Sequence, residues 1–240
     1  MTGKLSVTRI KCDIGASDLL PTGNNETAIH ILTGRCSVAV GDKFGERTYR
    51  NLGGRTNPFA QLPTTVFIGP NSEFKVVSEG YCDLLVAKHQ IPDATYCPTV
   101  VVRPDDIQVH RIGDSTHLRI VREIGGANLP PYTMRIGETK NIKGGWSSWP
   151  VHAGEVATQG FEEYFYYICN PLTGFGVQLN NDDSPMIVRS GDLHPITKGY
   201  HPVVAEPSTE LMYVWVHASD DGFSKKYSKF SDEPVGLYSI

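Results

Sequence analysis

The chain has no apolar run near the roughly 18 residues that a membrane-spanning helix needs, and its opening, MTGKLSVTRIK, has no apolar signal core. No membrane partner is therefore expected. It also lacks paired cysteines. Cys12, Cys36, Cys82, Cys97 and Cys169 are odd in number and show no CxxC spacing, which points to buried thiols in a reducing compartment rather than a disulfide scaffold. A cytoplasmic location follows as an expectation; there, the sequon Asn25-Glu26-Thr27 would go unused. An excess of positive charge is missing too. The net charge of −4 gives no electrostatic drive toward nucleic acid, although a single Lys or Arg can still select a small anion. Finally, no segment carries a sustained helical period. What remains is ordinary globular composition, 20% charged and 40% apolar over 240 residues, enough for one large or two small domains.

Short strand patterns fill the chain. Leu5–Lys11 alternates. Thr27–Thr33 and Arg35–Val40 meet at Thr33-Gly34, which predicts a hairpin. Asn51–Arg55, with Gly53-Gly54, predicts a turn. Thr65–Ile68 and Phe74–Val77 flank a turn at Gly69-Pro70-Asn71-Ser72, and Leu84–Lys88 closes the first half. Pro92–Pro104 reads as the crossing between halves; Ile107–His110, His117–Val121 and Tyr132–Thr139 are further strands. The polar segment SDDGFSKKYSKFSDEPVGLYSI is expected to wrap the surface. The fold class is all-β.

The halves repeat each other. EFKVVSEGYCDLLVA (Glu73–Ala87) aligns without gaps on YHPVVAEPSTELMYV (Tyr200–Val214), an offset of 211 − 84 = 127 for the Leu84/Leu211 pair. Glu26 before IHILTG likewise resembles Glu163 before YFYYIC. A repeat of short strands predicts two tandem barrels, divided here into residues 1–100 and 101–240. At this offset His201 corresponds to Phe74, so chemistry is expected in the second barrel and structure in the first.

His152, Glu163 and His201 each lie in or beside a short apolar run with strand character. Two imidazoles and one carboxylate suit Zn, Fe, Mn or Ni. Each of the three also has the appearance of a hydrogen-bonded core or surface group, and spacing alone does not choose between these readings.

The motifs together resemble a known family. NLGGRTNPF, GDSTHLRIVREI, GGWSSWPVH, EEYFYY, GFGVQ, GYHPVVAEP and YVWV stand in this order, as they do in the 5-deoxy-glucuronate isomerases of inositol breakdown, the IolB-type bicupins, which are related to the 4-deoxy-5-hexosulose-uronate ketol-isomerases. The resemblance implies a bicupin, two jelly-roll-like barrels, with a divalent metal in the second. It implies ligands at His152, position 154, Glu163 and His201. Position 154 is a glycine: the family's PPHKHD reads PVHAGE here, without its lysine and second histidine. The family's Gln-Arg-x-Tyr-Thr is replaced by Gln178-Leu179-Asn180-Asn181-Asp182.

The implied chemistry is aldose–ketose isomerisation of a deoxy-uronate sugar acid, a small-molecule partner; a homo-oligomer is an open expectation. Such a reaction moves a proton through an enediol, so it needs a Lewis acid on the carbonyl and hydroxyl oxygens and a base for the proton. Glu163, Lys198 and Tyr200 are the catalytic candidates, and Trp146 and Gln178 the substrate-binding ones. Two alternatives stay open: a catalytically altered bicupin that binds a carbohydrate or acts structurally, and a non-haem Fe(II) oxygenase using the two-His-one-carboxylate set.

Overall fold

The computed structural model describes residues 3–91, 97–125, 133–148, 162–180, 184–196 and 201–220. Among these residues all long elements are strands: β1 Leu5–Cys12, β2 Gly15–Ala16, β3 Leu20–Pro21, β4 Asn25–Asp42, β5 Gly45–Arg55, β6 Thr64–Ile68, β7 Glu73–Ser78, β8 Cys82–Gln90 and β9 Val100–Val102. They continue with β10 Gln108–Ile112, β11 Arg119–Glu123, β12 Met134–Asn141, β13 Trp146–Ser147, β14 Glu162–Asn170, β15 Phe175–Leu179, β16 Pro185–Arg189, β17 Leu193–Ile196, β18 Val203–Ala205 and β19 Glu210–Ala218. Two 3-10 turns, Pro104–Asp106 and Ser115–His117, complete the list. No helix among the described residues is long and apolar enough to cross a membrane.

The chain forms two compact units. One takes the chain up to Ile107 together with the segment that ends at Met134; the other takes Gln108–Glu123 and the chain from Arg135 to Ser219. In the first, strands run β1-β8-β4-β6, and β2, β7, β4 and β5 pair in turn. In the second, β12-β19-β14-β17 repeats the first order and β13-β18-β15-β16 the other. Each unit is thus a barrel of two antiparallel layers with its own apolar lumen. Ile29, Ile31, Val38, Val76 and Leu84 fill the first, and Phe165, Tyr167, Val203, Leu211 and Trp215 the second. Val76 and Val203, equivalent by the 127-residue offset, both lie in a lumen.

Two glycine-rich positions behave differently from expectation. Thr33-Gly34 is no hairpin: β4 runs unbroken from Asn25 to Asp42. Its first part pairs with β6 and β8, its second with β5 and β7. Gly34 turns the strand from one layer into the other with φ +87, where a Cβ would lie 2.2 Å from the Tyr81 carbonyl oxygen. Asn51–Arg55 is no turn either. It stays within β5, and the register shift between Gly34 and Arg35 lies opposite Gly53 and Arg55. In both places the left-handed residues make the bulges of a barrel corner.

Register also corrects the Glu26/Glu163 analogy. Ile31 pairs with Leu84 and Cys169 with Leu211, all four in the lumens. Six residues back along β4 and β14 stand Asn25 and Glu163, paired with Gln90 and His217. The first-barrel counterpart of Glu163 is therefore Asn25, that of His217 is Gln90, and that of His201 is Phe74, a buried core residue. Glu26 pairs with His89, one step out of phase, so it faces away from the lumen. Its Oε2 accepts hydrogen bonds from the Thr133 amide (2.7 Å) and hydroxyl (2.6 Å).

Burial raises the Glu26 carboxyl above the ordinary value near 4.5, against the opposing pull of the Thr133 bonds. A raised folded-state value adds stability below the unfolded value, and that contribution is lost as pH rises through the folded value. Wild type should therefore lose stability relative to Glu26→Gln between about pH 4 and pH 7. Urea unfolding of both proteins at the two pH values checks this, and parallel pH profiles would refute it.

Candidate active site

Strand alternation on β14 turns Glu163, Phe165, Tyr167 and Cys169 inward, and on β19 it turns Leu211, Tyr213, Trp215 and His217 inward. These strands pair antiparallel, so Glu163 lies opposite His217, Phe165 opposite Trp215 and Tyr167 opposite Tyr213. Phe165 stacks on Tyr213 at 4.4 Å between ring centroids. Trp215 fits because residue 137 is glycine: a Cβ there would sit 1.9 Å from Trp215 Cζ2. On the other side of β14, β17 places Ile196 opposite Glu163 and His194 opposite Phe165.

Glu163 is almost fully buried, at 3% exposure, and both of its oxygens face imidazoles. His217 Nε2 hydrogen-bonds to Oε1, and His201 Nε2 lies 3.5 Å from Oε2. His201, just ahead of β18, is itself buried and sets its ring edge-on against Phe165 at 5.0 Å. The His217 ring packs on Trp215 at 4.9 Å, and its side chain stays 30% exposed.

Carboxylate and imidazole are donor types that suit a divalent ion. Two ligands each about 2.1 Å from a tetrahedral ion stand about 3.4 Å apart, which is the His201–Glu163 separation within about 0.1 Å. Among the described residues no group of three or more His, Cys, Asp or Glu is placed so that it could hold a metal ion, and Glu163 Oε1 meets the His217 ring.

Polar groups line the lumen behind this pair. The Tyr167 hydroxyl donates to Gln178 Oε1, and Gln178 Nε2 donates to Asn180 Oδ1 at 3.0 Å. Burial first, then the nearby Tyr213, Glu163 and Asp192, hold the Tyr167 phenol well above its usual range. It therefore stays protonated and acts as a hydrogen-bond donor. Ser148 Oγ and Tyr213 Oη lie 3.5 Å apart.

Of the residues singled out from sequence, the structure brings Glu163 and His201 together and buries Gln178 in the same barrel. Trp146 is half-buried opposite Val204, on the face away from Ser147 and Val203. His152, Gly154, Lys198 and Tyr200 lie outside the described residues. Sequence reasoning missed His217. The signal was present: it stands two residues beyond Trp215 on one strand face, but the apolar run YVWV ends just before it.

A model of the KduI/IolB family matches residues 2–235. The chain belongs to the KduI/IolB family. A KduI/IolB relative from Geobacillus thermodenitrificans, named 5-deoxy-glucuronate isomerase, is 27% identical over 207 residues, 82% of this chain and 73% of the relative. One of the same name from Halalkalibacterium halodurans is 29% identical over 228 residues, 90% and 81% of the two chains. A solved IolB-like protein from Salmonella typhimurium superposes with a TM-score of 0.81 at 25% identity, covering 90% of this chain and 84% of that one. The oxalate decarboxylase of Lactobacillus farciminis, solved with formate, shares the fold alone: TM-score 0.66, 10% identity, 91% and 78% coverage. KduI/IolB membership makes the chain an isomerase built on two cupin barrels.

Proposed function

We propose that this chain is a metal-dependent aldose–ketose isomerase that acts on a deoxy-uronate sugar acid, as the relatives named 5-deoxy-glucuronate isomerase do. The observation that carries this reading is the family match over residues 2–235. The buried Glu163 with His201 supports the metal part. In this reading Glu163, His201 and His152 hold a divalent ion, Zn, Mn, Fe or Ni. The ion supplies a Lewis acid for the carbonyl oxygen and its neighbouring hydroxyl.

The chain's own groups do the rest. Phe165 and Trp215 wall the lumen and exclude water, which strengthens every charge interaction inside. Tyr167, protonated, keeps its hydrogen on Gln178 and fixes that amide, leaving Gln178 oriented for a substrate hydroxyl. Lys198 is proposed to hold the substrate carboxylate, and Tyr200 to stand within reach of the migrating proton.

The test is an NMR assay on 5-deoxy-glucuronate with purified protein, before and after chelation. Conversion to the ketose that stops on chelation and returns on adding one of the four metals is the expected result. No turnover with any of them would leave a carbohydrate-binding bicupin as the better account.

A further inference from the structure

We infer that Cys12 and Cys82 of the first barrel are a redox-modification site: a small hydroperoxide oxidises the pair to a disulfide between β1 and β8, and a thiol reductant reopens it. Neither residue belongs to the candidate active site, so the inference stands apart from the isomerase reading.

Three observations carry it. The first is register. Cys12, the last residue of β1, is the direct cross-strand partner of Cys82, the first residue of β8. Directly opposite residues of an antiparallel pair have Cα atoms about 4.5–5.5 Å apart and side chains on one face. A disulfide bridges Cα separations of roughly 4.4–6.8 Å, so the pair can close without moving either strand. The second is that this register is held. Arg9 on β1 forks onto Asp83, the neighbour of Cys82, with Nε to Oδ1 at 2.9 Å and Nη2 to Oδ2 at 2.5 Å. Slippage of the two strands would break that bidentate pair. The third is clustering. Cys36 and Cys82 are fully buried in the core of the first barrel, and half-buried Cys12 packs against the same core. Gly34 lets the corner of β4 come so close that a Cβ there would lie 2.8 Å from Cys82 Cα. Two residues further on, the Cys36 thiol donates a hydrogen bond to the Cys82 sulfur. The three thiols lead from half-exposed Cys12 through Cys82 to Cys36.

That order of exposure sets the order of events. Cys12 is the thiol of the three that solvent reaches. Its sulfur attacks one peroxide oxygen, the O–O bond breaks, and the other oxygen leaves as water. Cys12 is now a sulfenic acid, oxidised by two electrons while the peroxide is reduced. The Cys82 sulfur then attacks the Cys12 sulfur. The S–S bond forms, the S–OH bond breaks, and the departing hydroxide leaves as a second water with the proton from Cys82. Two thiols and one peroxide thus give one disulfide and two waters. Burial first, then the nearby Cys82, Asp13 and Asp83, hold the Cys12 thiol above its ordinary value, which makes the first step slow. The Cys36 hydrogen bond holds Cys82 below its ordinary value in spite of burial, which makes the second step fast. The sulfenic acid is consumed as it forms. A dithiol reverses the change by thiol–disulfide exchange, returning two electrons and two protons to the pair.

The experiment treats reduced wild-type protein with hydrogen peroxide and reads the product by intact mass and by peptide mapping without reduction. The expected result is a mass lower by two hydrogens, a linked pair of peptides carrying Cys12 and Cys82, and return of the original mass with dithiothreitol. Amide exchange along β1 should slow in the oxidised protein, because the new bond pins the end of that strand to β8. Dimedone, which traps sulfenic acids, should label Cys12 in Cys82→Ser and leave it unlabelled in wild type, since the variant alone lacks the thiol that consumes the intermediate. The wild-type peptide map stands by itself if the variant misfolds. A link from Cys82 to Cys36, a link between two chains, or a Cys12 that stays a thiol or ends as a sulfinic acid would each overturn the inference.

Discussion

Glu163→Gln is expected to abolish measurable metal binding and to lower kcat/KM by at least about 100-fold, the scale on which removing one preorganised electrostatic group acts. Glu163 is the residue on which both imidazoles converge, and its replacement removes the only negative charge of that trio. The substitution is close to isosteric, and the amide oxygen can still accept from His217, so the barrel should stay folded. Metal content after dialysis, measured beside unfolding and turnover, separates these effects. A Glu163→Gln protein that keeps its metal would place the ion elsewhere in the chain.

The second large effect is on stability and lies on the opposite face of the same barrel. Arg122 Nη1 donates to Glu138 Oε2 at 2.7 Å, and the two side chains are 6% and 0% exposed. They are direct cross-strand partners on β11 and β12. Val121, the neighbour of Arg122, faces the lumen, so this pair points away from it. Removing one member of a buried pair leaves a desolvated charge without its counter-charge, at a cost of about 3–5 kcal/mol. Glu138→Ala should therefore destabilise the protein by about that amount in urea unfolding. The double replacement Arg122→Met with Glu138→Leu should recover most of the loss. Turnover per folded molecule should be unchanged in both, because neither residue faces the site. A Glu138→Ala protein as stable as wild type would mean that the guanidinium finds equal compensation elsewhere.

The strands were legible because short runs rich in β-branched and apolar residues are set off by turn residues, whether they alternate, as β1 does, or are buried throughout, as β6 is. Leu5–Lys11, Thr65–Ile68 and Leu84–Lys88 match β1, β6 and β8 within a few residues. The corner of the first barrel was not legible. Gly34, Gly53 and Gly54 carry the same left-handed signal whether the chain reverses or merely bends, and only the partner strands decide. The site divides the same way. Glu163 and His201 stood out because carboxylate and imidazole are rare within or beside apolar strands. Glu26 looked like their first-barrel counterpart because its local sequence matches, but local sequence carries no register. Its pairing with His89 rather than Gln90 puts it on the other face. His217 escaped notice for the converse reason: its partner lies 54 positions away and meets it only through the β14–β19 ladder.

The continuity of β4 has one further consequence. In the first barrel a single 18-residue strand belongs to both layers, so every hydrogen bond on one side of the corner is tied through the backbone to the other. In the second barrel the same path is interrupted between Asn170 and Phe175, and β14 and β15 are separate strands. Pro171, with no amide hydrogen, lies in that gap. Amide exchange should register the difference. The amides of β4 should exchange as one cooperative block, whereas β14 and β15 should show separate opening energies. The barrel that carries Glu163 would then be the one whose two layers can breathe independently.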